Sequence, residues 1–332
     1  MNNKQPSVAI LLPVFNCEKY IEECLDSLIN QTYENFKIVI LDDQSTDSTL
    51  DIIQRYVELY DHIELHQNPK NLGIIESRNQ LFNLSNAKYF AFMDGDDISL
   101  PERIKAQVDY LEQHTQIQVL SCWYNRFGIF EDTVCTPISN DDITSALFLS
   151  NVICNPAVMV KSDFLRKHKL KCDPDFRGAA DYKLWVDCSI KGQLACLPQV
   201  LFCYRTHDTQ ESQKNNQRQR NSHFAILERQ FLRLGLTISG QQISSLIWPK
   251  ECQKSELYIL GKWLQNTSEN PKITDKDLAR KVFSFVDIRF KSCCKLYGFY
   301  GLTCYLRSRG LTNLIRGKNL GLNFVRDCFY IT

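Results

Sequence analysis

Apolar runs and amphipathic stretches alternate along the first two thirds of the chain. Residues 8–12 are a short apolar run stopped by Pro13, the pattern of a strand with Val14-Phe15-Asn16 as its exit. In 18–29, Tyr20, Ile21, Cys24, Leu25 and Leu28 recur at helical spacing. Residues 36–41 predict a second strand, ended by Asp42-Asp43-Gln44-Ser45-Thr46-Asp47. A helix from about Thr46 then carries Leu50, Ile53, Val57 and Tyr60 on one face. A third strand at 63–65, a polar turn at 68–73, a helix at 74–84 and a strand at 89–93 follow, then a helix opened by Leu100-Pro101-Glu102 with proline in its first turn. Strands and helices in strict alternation predict an α/β domain with a parallel sheet and helices on its faces.

Beyond a strand at 119–124 the alternation weakens. The pattern predicts a helix at 141–149, a short strand at 157–160, a Gly- and Asp-bearing loop at 173–181, a helix at 182–190 and a strand at 194–204 closed by Arg205-Thr206-His207. Residues 210–221 are polar with little periodicity and read as a linker or a mobile loop. Helical spacing returns near 224–234, 240–247, 254–265 and 275–290. The expected division is an α/β domain at 1–215 and a helical region at 216–332.

The chemistry concentrates where the run Phe90-Ala91-Phe92-Met93 stops in Asp94-Gly95-Asp96-Asp97. In an open α/β sheet, ligands bind at the carboxyl ends of the strands, and the predicted topology puts Asp42/Asp43 on that same edge. Three carboxylates within four residues repel one another unless a cation sits among them. The competing reading is an Asp-Gly turn closing a hairpin.

With 332 residues, 44% hydrophobic and 23% charged, the composition is that of a globular protein, and a net charge of +1 argues against a nucleic-acid binder. The charge is uneven. From residue 278 on there are ten Lys and Arg against two Asp, so the end of the chain and its body face different partners. Its aromatic residues Phe283, Phe285, Phe290, Tyr297, Phe299 and Tyr300, with Ile288 and Leu296, fit either a peripheral helix on an anionic membrane or a bundle packed for stability. The 14 cysteines form no C-x-x-C pair and lie in hydrophobic runs, so reduced, buried thiols in a cytoplasmic protein are expected rather than zinc or disulfides. No signal peptide and no run of the ~20 apolar residues needed to span a bilayer is read.

In order and spacing, several motifs resemble the inverting glycosyltransferases of family 2, with the GT-A nucleotide-sugar fold: a Rossmann-like mixed sheet flanked by helices. They are Pro13-Val14-Phe15-Asn16, Ser27-Leu28-x-x-Gln31-Thr32, Asp42-Asp43-x-Ser45-x-Asp47-x-Thr49, Asn71-x-Gly73, Arg78-Asn79, Asp94-Gly95-Asp96-Asp97, Asp181-Tyr182-x-Leu184-Trp185 and Tyr204-Arg205-x-His207. The resemblance covers about the first 210 residues and implies a bacterial cell-surface polysaccharide or lipopolysaccharide enzyme.

The resemblance implies a nucleotide-sugar site at Pro13, Phe15, Asn16, Asp42, Asp43, Asn71, Arg78, Asp94 and His207. Phe15 would stack on the base and the Asp pair would accept from a uracil N3–H, which suits a UDP-sugar; otherwise Phe15 is core and the pair a helix cap. Asp94 and Asp96 form the D-x-D expected to hold Mn²⁺ or Mg²⁺, Asp96 as the direct ligand and Asp94 toward ribose or sugar, because a divalent ion offsets charge on the leaving diphosphate. Arg78 suits phosphate oxygens or a solvated helix face, and His207 a diphosphate, a metal or a structural role. Asp181 is the expected general base, with a plain N-cap as the alternative. Where the family pattern reads Glu-Asp, this chain has Ala180-Asp181. The acceptor expected is a glycan or lipid-linked glycan. A non-catalytic nucleotide-sugar-binding scaffold is the competing function; a nucleotidyltransferase or dinucleotide-dependent oxidoreductase lacks support because the phosphate-cradling loops G-x-G-x-x-G and G-x-x-x-x-G-K-[ST] are absent.

Overall fold

The computed structural model describes residues 7–208, 210, 216–267 and 270–305. In chain order the strands are β1 (Val8–Val14), β2 (Phe36–Asp42), β3 (Ile63–Gln67), β4 (Tyr89–Phe92), β5 (Ile98–Ser99), β6 (Ile117–Gly128), β7 (Asp132–Val134), β8 (Met159–Lys161) and β9 (Gln193–Thr206). The helices are α1 (Ile21–Ile29), α2 (Thr49–Leu59), α3 (Ile74–Leu81), α4 (Arg103–Gln113), α5 (Asn140–Ala146), α6 (Ser162–His168), α7 (Ala180–Lys191), α8 (Asn216–Arg233), α9 (Gly240–Ile247), α10 (Lys254–Thr267), α11 (Lys276–Lys295) and α12 (Gly298–Tyr305).

Among the described residues the strands form one sheet in the order β3-β2-β1-β4-β8-β6-β9-β5, with β7 on β6. The first four are parallel, as the alternation predicts, and β1 is buried at every position because helices cover both faces. The sheet as a whole is mixed: β8 runs antiparallel to β4 and to β6, and β5 antiparallel to β9. An Asp-Gly hairpin after β4 does not form, because the strand that follows the turn pairs with β9, a hundred residues on, instead of folding back on β4.

Two scaffold features fix the turn beyond β4. The buried Gln31 side chain, just past α1, accepts from Ile104 N (3.1 Å) and donates to Leu100 O (2.9 Å), while Ser27 Oγ accepts from Ser99 N (3.1 Å). The Ser27 to Gln31 motif therefore ties α1 to the entrance of α4, which starts at Arg103 rather than at the proline. Arg103 is fully buried and donates to Phe92 O (2.8 Å), its guanidinium 5.0 Å from the centre of the Phe202 ring. Burial pulls its pKa below the usual arginine range.

The chain divides into two compact units. One holds the residues up to Thr144 together with Asn151–Gln219, and the other holds Ser145–Ser150 with the residues from Arg220 on. Part of the expected linker is helical: α8 begins at Asn216, where Gln and Arg, good helix formers, replace apolar periodicity as the cue. The second unit is built of helices packed through Phe231, Leu246, Leu260, Phe290 and Tyr305. A capping box of Ser239 and Gln242 opens α9. Phe283 and Phe290 of α11 are buried, whereas Phe285, Ile288, Leu296 and Tyr300 are exposed. Among the described residues no helix is long and apolar enough to cross a membrane, and the cysteines are free and mostly buried. The basic residues beyond 305 lie outside the described residues.

Candidate functional site

The carboxyl ends of β1, β2 and β4 carry the predicted residues. Pro13 and Val14 end β1, and Phe15 beyond them is 47% exposed, which is no core position. Asn16 adopts a left-handed conformation (φ 49°), its N–H donating to Ser45 Oγ (3.0 Å) and its Oδ1 accepting from Thr46 N (2.8 Å), so the loops after β1 and β2 are held as one. Asp42 is fully buried and accepts from Ser45 N (3.2 Å) and Gln67 Nε2 (3.0 Å).

Asp43 accepts from Asn68 Nδ2 (2.7 Å), Leu72 N (2.9 Å) and Gly73 N (2.7 Å). These fill three of the roughly four acceptor positions of a carboxylate. The bonds shape the turn that bears exposed Asn71 and leads into α3; Gly73 sits there at φ 86°, a region side chains avoid. From α3, Arg78 Nη2 contacts both oxygens of Asp94 (2.7 and 3.0 Å). Burial, the largest single influence, opposes the guanidinium charge, but Asp94, Cys172 and Asp181 together hold the pKa above its ordinary value.

The turn after β4 is gripped from β9. Arg205 donates its backbone N–H to Asp97 Oδ1 (2.8 Å) and its Nε–H to Asp96 O (2.7 Å), pairs with Glu23, and lies between the Tyr20 and Phe127 rings (4.8 and 4.4 Å to the centroids). His207, two residues on, places Nε2 2.9 Å from Asp96 Oδ2, its ring against Tyr20. Burial first, then the Asp94 charge, raises the Asp96 carboxyl above its ordinary pKa, against the pull of His207. Asp97 is raised further by burial and by both neighbouring acids, and among the described residues its Oδ2 has no hydrogen-bond partner. Replacing Arg205 by alanine removes the hydrogen bonds and ring contacts of one side chain. It is expected to cost about 2–4 kcal/mol of stability, read as a lower urea midpoint.

Asp181 lies in the first turn of α7, where Ala179 and not Asp181 is the N-cap. Its Oδ2 accepts from Asn151 Nδ2 (3.0 Å). Burial foremost raises its pKa; the Arg78 charge lowers it and Asp94 raises it, so Asp181 lies within electrostatic range of the Arg78–Asp94 pair. Arg78 also lines a small pocket with Pro13, Met93 and Asn155, whose buried amide has no partner among the described residues. The predicted residues thus gather on one sheet edge, Asp42 turned inward and Phe15 and Asn71 outward. Arg205 was carried in the Tyr204-Arg205-x-His207 pattern without a role. Asn151 gave no signal, because an isolated polar residue in an irregular stretch carries no period.

Among the described residues no three His, Cys, Asp or Glu gather into a cage for a metal ion. The paired Asp96 carboxylate and His207 imidazole nevertheless fit the sort of site in which one or two protein groups share a Mg²⁺-like ion with substrate phosphates.

A doubly wound parallel half-sheet continued by antiparallel strands, with acids at its carboxyl edge, is the nucleotide-sugar transferase fold of GT-A type. Solved structures share it. Staphylococcus aureus TarS 1-349 in complex with UDP-GlcNAc matches with a TM-score of 0.57 at 17% identity, covering 95% of this chain and 93% of that one. The mannosyltransferase PcManGT from Pyrobaculum calidifontis, in complex with GDP-Man and Mn²⁺, matches at 0.56 and 16%, covering 95% and 89%. The family model for glycosyl transferase family 2 matches residues 9–141. A glycosyltransferase of Haemophilus influenzae is 36% identical over 225 residues, 64% of this chain and 70% of the relative. The chain belongs to glycosyltransferase family 2.

Proposed function

We propose that this glycosyltransferase moves a hexosyl group, with inversion, from a UDP-sugar to a hydroxyl of a cell-surface glycan. The observation that supports the reading is the carboxylate of Asp181, held by Asn151, within electrostatic range of the Arg78–Asp94 pair beyond β4. Asp181 takes the proton of the acceptor hydroxyl as its oxygen attacks the anomeric carbon, and the bond to the nucleoside diphosphate breaks on the opposite face. Phe15 stacks on the base, and Asp43 uses its remaining acceptor position for the uracil N3–H. Pro13, Asn16, Asp42 and Asn71 shape that subsite. Arg78 and Asp94 orient the ribose and sugar. Asp96, with His207 beside it, would hold Mn²⁺ or Mg²⁺, which when bound offsets charge on the leaving diphosphate. The Mn²⁺ in the mannosyltransferase complex and the UDP-GlcNAc in the TarS complex support these assignments.

Residues 1–215 form the transferase domain on this reading, and 216–332 contact the acceptor or an anionic membrane at the inner face of the cell envelope. Phe285 and Ile288, exposed beside Arg289 on α11, support the membrane contact. The test of the donor is a screen of nucleotide sugars with Mn²⁺, reading released diphosphate. UDP-sugars are expected to be turned over in preference to GDP-sugars, and neither turnover nor binding of any of them would overturn the assignment.

A further inference from the structure

The carboxylate assigned above to proton transfer is preceded by Ala180, which offers no polar group to orient it. Beyond the backbone N–H groups of Asp181 and Tyr182, a side chain from elsewhere in the chain orients it. Asn151 donates from Nδ2 to Asp181 Oδ2 (3.0 Å), while its Oδ1 accepts from the backbone N–H of Ile153 (3.1 Å). The second bond fixes which way the carboxamide faces. With its oxygen held by the backbone, the NH₂ group is the side left to meet the carboxylate. The donated hydrogen bond favours the ionised form of Asp181, as do the backbone N–H groups of Asp181 and Tyr182, and it restrains the rotation of the carboxyl group.

We infer that Asn151 is the positioning residue of the general base, holding Asp181 ionised and aimed at the acceptor hydroxyl. The inference rests on Asp181 being that base. The other groups that act on Asp181 are the charges of Arg78 from α3 and Asp94 from the turn after β4, Cys172 from the loop before α7, and the backbone N–H groups of Asp181 and Tyr182. None of them belongs to the segment that carries Asn151, so its contribution is separable by mutation.

The test measures kcat, the donor KM and the pH dependence of kcat for Asn151→Ala and Asn151→Asp, with nucleotide binding as the check that each variant is folded. Removing the amide is expected to lower kcat at neutral pH by about ten- to a hundred-fold, the range seen when a group that orients a working side chain is lost. The donor KM should hold, and the acid limb should move to higher pH. Asn151→Asp keeps an oxygen for Ile153 N but sets a second carboxylate against the first, so its acid limb should move further, because two such acids cannot both ionise freely. An unmoved acid limb in both variants would overturn the inference, as would a fall in kcat accompanied by a rise in donor KM, the signature of a misplaced donor site. If Asn151→Ala does not fold, Asn151→Asp decides alone. Asp181→Asn separates the two levels: if it keeps turnover, the base assignment is wrong, whereas its loss beside a wild-type Asn151→Ala removes only the positioning role.

Discussion

Asparagine at position 181 is expected to lower kcat by about 10²- to 10⁴-fold, the usual range for a lost general base, while UDP binding is retained. That corresponds to about 3–5 kcal/mol of transition-state stabilisation. The amide keeps the volume and can still accept from Asn151, but it cannot take up a proton. Steady-state kinetics beside calorimetric titration with UDP distinguishes this from collapse of the fold. The wild-type enzyme carries a pH signature of the same residue. Burial raises the Asp181 carboxyl above its ordinary value, and transfer needs the ionised form. Turnover is therefore full above the raised pKa and falls as pH drops through it. Its acid limb should lie above the range near 4 of an exposed carboxylate. In Asp181→Asn that limb should vanish from the residual rate. A scaffold that only binds nucleotide sugars would show no turnover for the substitution to remove.

Asp96→Asn is the second large effect. It is expected to cost about a hundred-fold or more in kcat/KM, since a divalent ion supplies several kcal/mol where leaving-group charge develops. Donor binding should also lose its response to Mn²⁺ and to chelator. Stability is expected to move the other way. Asp96 is a largely buried acid raised by desolvation and by Asp94, and it adds to the like-charge strain on Asp97. Neutralising it relieves that repulsion, so the melting temperature should stay level or rise while activity falls, the trade expected where a site is arranged for function at the expense of the fold. A melting temperature that drops sharply would instead mark Asp96 as structural.

Much of this edge was legible in the sequence because the cues are local. An apolar run ending in acids names both a strand and the end that bears ligands, and β1 to β4 followed their alternation closely. What escaped the sequence is what depends on distant pairing. The short strand expected at 157–160 is β8, but its antiparallel insertion between β4 and β6 leaves no local mark, since a strand's own residues name neither its partners nor its direction. The Ser27 to Gln31 pattern could be noticed, but not its purpose, which is to bind the entrance of α4. The opening of α8 was missed because its first turns carry polar helix formers in place of an apolar stripe. Arg78 illustrates the limit most plainly: residue type suggested phosphate, and only the fold shows the guanidinium on Asp94.

The grip of Arg205 on the turn after β4 has a consequence for biosynthesis. The donors it supplies to Asp96 and Asp97 come from more than a hundred residues downstream. A nascent polypeptide can lay down its first four strands on the ribosome with the Gln31 and Arg103 contacts, but the acidic turn lacks the Arg205 clamp until β9 emerges and inserts. Loop closure over such a span is slow relative to local folding. Truncated chains that stop before residue 205 are accordingly expected to keep a sheet nucleus yet bind no donor, and competence should arise late, in a single step, as synthesis passes that point.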